Sequence, residues 1–188
     1  MLRCWFIDDA YKIERVEFAD GTVWGGAELM AMTSVVDDRD NYLEGTANDD
    51  ILNGLGGNDQ INGMAGNDTL DGGAGNDTLD GGEGNDIYLF GRGDGEDTIL
   101  NYDENQSKQD AIQFKAGVAT TDIVVSRQSD DLILRITGTD DQLTIQNYFS
   151  YEGEFNPYGI EAVRFADDTS CDYASIKAKS QEATAGDD

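Results

Sequence analysis

The sequence contains no histidine, and this absence removes several kinds of chemistry at once. Ser-His-Asp and Cys-His catalysis both need an imidazole, and most zinc sites use one as a ligand. No lysine occurs between Lys12 and Lys108, so the many glycines of that region cannot belong to a phosphate-binding P-loop. These absences exclude histidine-dependent catalysis and a P-loop, and because the obvious carboxylate pairs come from a sequence repeat, we expect that the chain is not an enzyme.

Cysteines and long apolar runs are also scarce. The two cysteines, Cys4 and Cys171, lie in dissimilar sequence surroundings, and the sequence leaves open whether they form a disulfide. The apolar start at residues 1–7 is too short for a signal peptide or a transmembrane helix, and it runs directly into Asp8 and Asp9. We expect no membrane insertion by this chain.

Basic residues are few, since 12 lysines and arginines oppose 39 aspartates and glutamates, for a formal net charge of −27. Such a surface repels nucleic acid and anionic membranes, so neither is an expected partner. A hydrophobic content of 38% argues against general disorder and for packed regions.

What the sequence does contain is a nine-residue unit repeated in tandem between Gly45 and Leu100. The clearest copies, G-G-A-G-N-D-T-L-D and G-G-E-G-N-D-I-Y-L, begin at Gly72 and Gly81. The first six residues of the unit are rich in glycine and asparagine, which predicts a tight turn, and the last three predict a very short strand. Looser copies begin at Gly45, Gly54 and Gly63, and a sixth copy, Arg92 to Leu100, comes after a two-residue insertion.

Turns and strands that alternate every nine residues predict a flattened coil with two units per revolution. Similar turns then stack along each edge, about 4.8 Å apart, so their carboxylates face one another unless a cation lies between them. Oxygen ligands of this kind suit calcium best. The sixth-position residues form two columns, Asp50, Asp68 and Asp86 on one edge and Asp59, Asp77 and Asp97 on the other, with at most four ions between Asp50/Asp68, Asp68/Asp86, Asp59/Asp77 and Asp77/Asp97.

A flexible linker that happens to be periodic is the alternative interpretation of the array. Such a linker has no reason to keep apolar residues in phase with the aspartates, whereas a packed coil needs them to point inward. The predicted inward residues are Leu52, Ile61, Leu70, Leu79, Tyr88 and Ile99.

The unit resembles G-G-x-G-x-D-x-U-x, the nonapeptide of RTX, or haemolysin-type, calcium-binding proteins. The resemblance implies an all-β fold in which a parallel β-roll holds calcium between its turns. The implied ligands are the six aspartates and backbone carbonyls of the turn glycines. These glycines are Gly54, Gly57, Gly63, Gly66, Gly72, Gly73, Gly75, Gly81, Gly82 and Gly84.

The region after the array has a different pattern. Alternation such as Leu132, Leu134 and Ile136 predicts a small antiparallel β domain with one buried face. It resembles the domain that commonly follows these repeats, which would cap the open end of the roll. The predicted strands cover residues 111–114, 122–127, 131–137, 142–149 and 160–165.

Internal likeness predicts a chain cut from a series of related modules. Residues 13–22 resemble residues 160–169, and residues 182–188 resemble the entry to the array at residues 44–50. Within the first segment we predict a strand around Val16 and a short helix over residues 27–32. The predicted domains are 1–42, the tail of a preceding module; 43–100, the β-roll; 101–176, the cap; and 177–188, a linker into the next array.

The resemblance implies a calcium-binding module of a large secreted bacterial protein, found extracellularly or at the cell surface. Its expected partners are calcium, a type I secretion machinery in transit and neighbouring modules of the same chain. Because the core is thin and the array strongly acidic, we expect it to be disordered without calcium. The alternatives are a secreted toxin or enzyme region, or a calcium-rigidified adhesin or carbohydrate-binding module that uses aromatic residues between Tyr148 and Tyr158.

Overall fold

The computed structural model describes residues 3–4, 15–17, 23–25, 36–151, 155–172, 174–176 and 178–179. Regular structure in these residues is almost entirely β-strand. The chain divides into two compact units, Met1–Val36 and Asp37–Asp188.

The first unit contains a three-stranded antiparallel sheet in the order β1-β2-β3. The strand predicted around Val16 is therefore found, as β2. The helix predicted over residues 27–32 lies outside the described residues. The strands are β1 (Arg3–Cys4), β2 (Arg15–Glu17) and β3 (Val23–Gly25).

The second unit begins with eight short strands that alternate between two parallel sheets. Even-numbered strands form one sheet and odd-numbered strands the other. Gln60 pairs with Thr78 and Ile51 with Thr69, so two nonapeptides make one revolution, as predicted. The strands are β4 (Tyr42–Glu44), β5 (Ile51–Asn53), β6 (Gln60–Asn62), β7 (Thr69–Asp71), β8 (Thr78–Asp80), β9 (Ile87–Phe90), β10 (Glu96–Ile99) and β11 (Ala111–Phe114).

Glycine permits the turns of neighbouring revolutions to stack closely. Gly73 and Gly75 have φ values of +90° and +153°, and only glycine adopts such angles without strain. A Cβ atom at either position would also collide with a carbonyl oxygen of the preceding revolution, that of Leu55 or Gly57. The glycines of the repeat therefore set the spacing of the coil.

The interior of the roll is a double row of apolar side chains from the eighth position of each copy. Five of the six predicted inward residues are at most 2% exposed, whereas Leu52 is only half-buried. Leu52 lies on β5, the terminal strand of its sheet, which has a neighbour on one side only. The row also includes Leu43 before the predicted array and Ile112 after it.

Parallel pairing continues past residue 100. Sequence patterns placed β11 in the antiparallel sheet, but it pairs in parallel with β9, with Ala111 opposite Ile87. The reason is local, because Asp110-Ala111-Ile112 repeats the aspartate and aliphatic spacing of the nonapeptide after a longer loop.

Antiparallel strands then extend both sheets, which confirms the predicted fold class. On one side the order is β12-β13-β14-β10, in which β14 pairs in parallel with β10. On the other, β15 pairs in parallel with β11 and antiparallel with β16. These strands cover edges of the roll that would otherwise be unpaired. Their bounds are β12 (Ile123–Gln128), β13 (Asp131–Ile136), β14 (Gln142–Ile145), β15 (Ala162–Arg164) and β16 (Ser170–Asp172).

Two further features concern the covalent state and the membrane. Cys171, in β16, is half-buried and carries a free thiol, while the side chain of Cys4 lies outside the described part. Among the described residues, no helix has the length and apolar character needed to span a bilayer.

We predict that the inward column stabilises the calcium-loaded roll and that outward strand positions do not. Ile61 is 2% exposed and Ile51 is 86% exposed, although both lie in strands of the array. Ile61→Ala should lower the free energy of unfolding by about 2–5 kcal/mol because it leaves a cavity. Ile51→Ala should change it by less than about 0.5 kcal/mol. Chemical denaturation in excess calcium measures both, and equal losses would contradict the inward assignment.

Candidate metal centre

The sixth-position aspartates stack along the two edges of the roll. The backbone N–H of one aspartate donates to the Oδ1 atom of the aspartate one revolution later. On one edge Asp50 donates to Asp68 at 2.8 Å and Asp68 to Asp86 at 2.9 Å. On the other edge the bonds are Asp59 to Asp77 at 2.7 Å and Asp77 to Asp97 at 3.0 Å. We call these stacks the Asp50 column and the Asp59 column.

We call each acidic residue of a column a rung. In the buried rungs, the second carboxylate oxygen has no hydrogen-bond partner. Burying an unpaired carboxylate oxygen is costly, so these atoms mark places where a cation would be bound. Asp50, at the start of its column, differs because its Oδ2 accepts hydrogen bonds from the backbone N–H and hydroxyl of Thr46 at 2.6 and 2.8 Å. Within the described residues the unpaired atoms are Oδ2 of Asp59, Asp68, Asp77, Asp86 and Asp97, each in a side chain at most 1% exposed.

The first glycine of each repeat makes room for this carboxylate. A Cβ atom on Gly72 would collide with the Asp77 carboxylate of the same repeat, and Gly54, Gly63 and Gly81 stand in the same relation to their aspartates. The carbonyl oxygens of the fourth-position glycines face the next revolution, since a Cβ on the glycine stacked above would collide with them. Those fourth-position glycines are Gly57, Gly66 and Gly75.

The donor set fits a hard cation held partly by the backbone. No three acidic, histidine or cysteine side chains cluster as a metal site anywhere in the described part of the chain. Side chains alone therefore do not complete a coordination shell. Paired carboxylates together with turn carbonyls supply oxygen ligands only, which is the donor type that calcium prefers. A calcium ion held by these groups would supply positive charge next to the unpaired carboxylate oxygens.

A second ladder, which sequence reasoning missed, runs beside each column. The side chain at the fifth position accepts a hydrogen bond from the backbone N–H one revolution later. Asn76 donates to Asn58 at 2.8 Å and Asn67 donates to Asp49 at 2.7 Å. The signal was present, because asparagine or aspartate occupies the fifth position of every copy from Gly45 to Gly81. This ladder links the turns of successive revolutions through hydrogen bonds between protein groups.

Both columns also extend beyond the predicted residues. Upstream, Asn41 donates its backbone N–H to Asp59 at 2.7 Å, so residues 36–44 form a degenerate copy with asparagine at the sixth position. Downstream, Asp86 donates to Asp110 at 2.9 Å. Asp110 was missed because a longer loop separates it from the array and breaks the nine-residue phase.

Burial changes the acidity of the columns. It raises the pKa of Asp86 to about 7 and that of Asp97 to about 8, although the N–H groups of Asp68 and Asp77 act in the opposite direction. The pKa values of Asp68 and Asp77 are also raised, first by burial and then by the neighbouring carboxylates. Without a bound cation, burial therefore favours the protonated form of these four aspartates, since it raises the pKa of each.

Comparison with known families identifies this array. Residues 36–70 and 63–96 match the RTX calcium-binding nonapeptide repeat, a family of calcium-binding sequences. The chain is an RTX repeat protein. Residues 2–28 and 131–175 match the haemolysin-type calcium binding protein related domain, so this domain flanks the RTX repeats on both sides.

Individual relatives share parts of this arrangement. The iron-regulated protein FrpA of Neisseria meningitidis serogroup C is 39% identical over 101 residues, which are 54% of this chain and 9% of FrpA. The AlgE6R3 subunit of the Azotobacter vinelandii mannuronan C5-epimerase is 34% identical, with 59% of this chain and 73% of that chain covered and a TM-score of 0.44. The extracellular lipase LipA of Serratia marcescens is 28% identical, with coverages of 57% and 17% and a TM-score of 0.42. The chain thus corresponds to a small part of FrpA and of the lipase.

We predict that the unpaired oxygen of a column rung, and not acidity in general, binds calcium. Asp68→Asn and Asp49→Asn remove the same charge, and in both the asparagine Oδ1 can keep accepting its ladder hydrogen bond. Only Asp68→Asn removes a buried, unpaired carboxylate oxygen. It should weaken calcium binding by at least about tenfold, while Asp49→Asn should leave the titration midpoint nearly unchanged. Isothermal titration calorimetry distinguishes them, and equal effects would contradict the assignment.

We also predict opposite pH dependences with and without calcium. Because the folded pKa values of Asp86 and Asp97 lie above the unfolded value of about 3.9, the calcium-free roll binds extra protons on folding. Its stability should fall as the pH rises from about 4 to 8 and recover on acidification. With calcium the order reverses, since protons compete for the ligands. Circular dichroism in calcium-depleted and calcium-replete buffers measures both trends. A calcium-free signal that is constant or increases with pH would contradict this prediction.

Proposed function

We propose that this chain is a calcium-binding RTX module of a larger secreted bacterial protein, and that its roll folds when it meets extracellular calcium. The observation that carries the proposal is the row of buried carboxylate oxygens without partners in Asp59, Asp68, Asp77, Asp86 and Asp97. The six predicted aspartates and the ten turn glycines are the proposed ligand set.

The link between ion binding and folding comes from electrostatics. Each column places buried carboxylates one above another, and the hydrogen bonds along the column satisfy only one oxygen of each. The interior is a double row of side chains, so little apolar burial is available to offset this repulsion. An ion that binds the folded array and not the unfolded chain would shift the equilibrium towards folding.

This coupling would suit export through a type I secretion channel. A chain that stays unfolded at low cytosolic calcium can pass through the channel and then fold outside, where calcium is abundant. The related extracellular lipase is consistent with an extracellular location. Within the longer protein, the flanking matches at residues 2–28 and 131–175 support neighbouring modules of the same kind.

A carbohydrate-binding or adhesive module is the second candidate, and the structure supports it less. Tyr148 is fully buried, and Phe149, Phe155 and Tyr158 are half-buried, so they do not form a continuous exposed surface. Tyr151 is 53% exposed, but a single exposed ring in this cluster provides little stacking area for a sugar.

Catalysis by the repeats themselves is not proposed. The carboxylate pairs that the repeat produces are the stacked aspartates of the two columns, and their positions follow from the nine-residue period. Any activity of the longer protein, whether toxin, enzyme or adhesin, would then depend on regions outside this array.

A calcium titration followed by far-ultraviolet circular dichroism tests the proposal. We expect a cooperative gain of β signal at about 0.1–1 mM calcium, in the range of extracellular calcium modules. Magnesium at the same concentrations should fail, because it demands a smaller octahedral site. A spectrum that is already fully β after calcium removal, and does not change on adding it, would contradict calcium-driven folding.

A further inference from the structure

The Asp50 column continues into the region after the array and ends at Glu161. Asp86 donates its backbone N–H to Asp110 Oδ1, and Asp110 donates its own to Glu161 Oε2 at 2.8 Å. The pairing of β9, β11 and β15 places Asp86, Asp110 and Glu161 in successive positions. Within the described residues the column consists of Asp50, Asp68, Asp86, Asp110 and Glu161.

The ammonium group of Lys108 lies between Asp110 and Glu161, the last two rungs of this column. Lys108 is 2% exposed, although lysine is almost never buried without a partner. Its Nζ atom lies 2.7 Å from Asp110 Oδ2 and 3.9 Å from Glu161 Oε1, and it donates to the carbonyl oxygen of Gly159 at 2.5 Å. The ammonium group therefore contacts both terminal rungs and one backbone carbonyl.

Asp110 consequently differs from the buried rungs before it. Its Oδ2 accepts hydrogen bonds from Lys108 and, at 2.9 Å, from Asn101, whereas the Oδ2 atoms of Asp68 and Asp86 have no partner. Both donors belong to the loop between β10 and β11, the insertion that separates Asp110 from the regular repeats. The loop thus brings a positive charge into the column at the point where the regular turns stop.

The geometry points to Lys108 as a built-in cation that takes, between Asp110 and Glu161, the place that calcium takes between earlier rungs. This inference rests on the proposed calcium-binding function of the columns. It means that the C-terminal end of the roll is held together without calcium and provides an ordered edge on which the calcium-dependent revolutions can form. It also means that removing the lysine charge opens one additional calcium site.

The surroundings of Lys108 can accommodate such an ion. Without the ammonium group, the Asp110 and Glu161 carboxylates and the Gly159 carbonyl would present oxygen ligands to one point, a set that suits calcium. A cavity of about 210 Å³ lies alongside and is lined in part by Lys108, Gly159 and Glu161. Calcium and its remaining water ligands would therefore have access from solvent.

The test is Lys108→Met in the full chain, which keeps an unbranched side chain that is one atom shorter and removes the charge. Native mass spectrometry should count one more bound calcium ion than in the wild type. Without calcium, hydrogen exchange of β11 and β15 should be at least about tenfold faster than in the wild type, and calcium should restore the protection. Wild-type protein that binds no calcium would refute the proposed function itself, independently of this variant.

Lys115→Met is the matched control. Lys115 also pairs with two carboxylates, Asp71 at 2.6 Å and Asp94 at 2.8 Å, but neither residue is a rung of a column. The Lys115→Met variant should lose stability without binding an additional calcium ion. An additional calcium ion in both variants would overturn the proposal. So would an unchanged ion count in Lys108→Met, or a loss of protection that calcium cannot restore.

If Lys108→Met fails to fold under any condition, the double variant Lys108→Met/Asp110→Asn tests whether Lys108 acts through its charge or through packing. Removing the opposing charge should restore protection of β11 in the absence of calcium without adding an ion. A double variant as defective as the single one would show that Lys108 acts through packing alone, and the proposal would be wrong.

Discussion

Repulsion between stacked carboxylates is the constraint on which the rest of this structure depends. The coil places an aspartate of every revolution above the last, in side chains such as Asp77 that are almost completely buried. The hydrogen bond along the column satisfies one oxygen of a buried aspartate such as Asp77 and leaves its other oxygen without a partner. We propose that bound calcium supplies the positive charge that offsets this repulsion.

The two columns end in different ways, and both endings avoid adding another unpaired charge. In the Asp59 column, the β10–β14 pairing places Leu143 opposite Asp97, so an apolar residue comes after the last carboxylate. In the Asp50 column, Asp110 and Glu161 remain acidic but contact Lys108. Where the regular repeat stops, the chain thus either omits the next carboxylate or provides its own cation.

Each nonapeptide contains the residues that shape the turn, the aspartate of the column and the apolar residue of the core. Gly73 provides the positive φ of the turn and Gly72 leaves space for the Asp77 carboxylate, while Leu79, two residues beyond that aspartate, packs into the core. We propose that the array has little stability without calcium, because the apolar column is only one residue deep on each sheet. Calcium binding and folding would therefore be one event in this array.

The sequence by itself determined the periodic features: the two-unit revolution, the division of the aspartates into two columns and the inward phase of residues such as Leu70. A short repeat fixes these features because each copy interacts mainly with the copy one revolution away. Only the tertiary structure decided how the strands after residue 100 pair. The pairing of β14 with β10 and of β15 with β11 joins segments that are distant in the chain, and no local pattern encodes such partners. For the same reason Asp110, Glu161 and Lys108, which lie outside the nine-residue phase, could be assigned to the column only from their contacts.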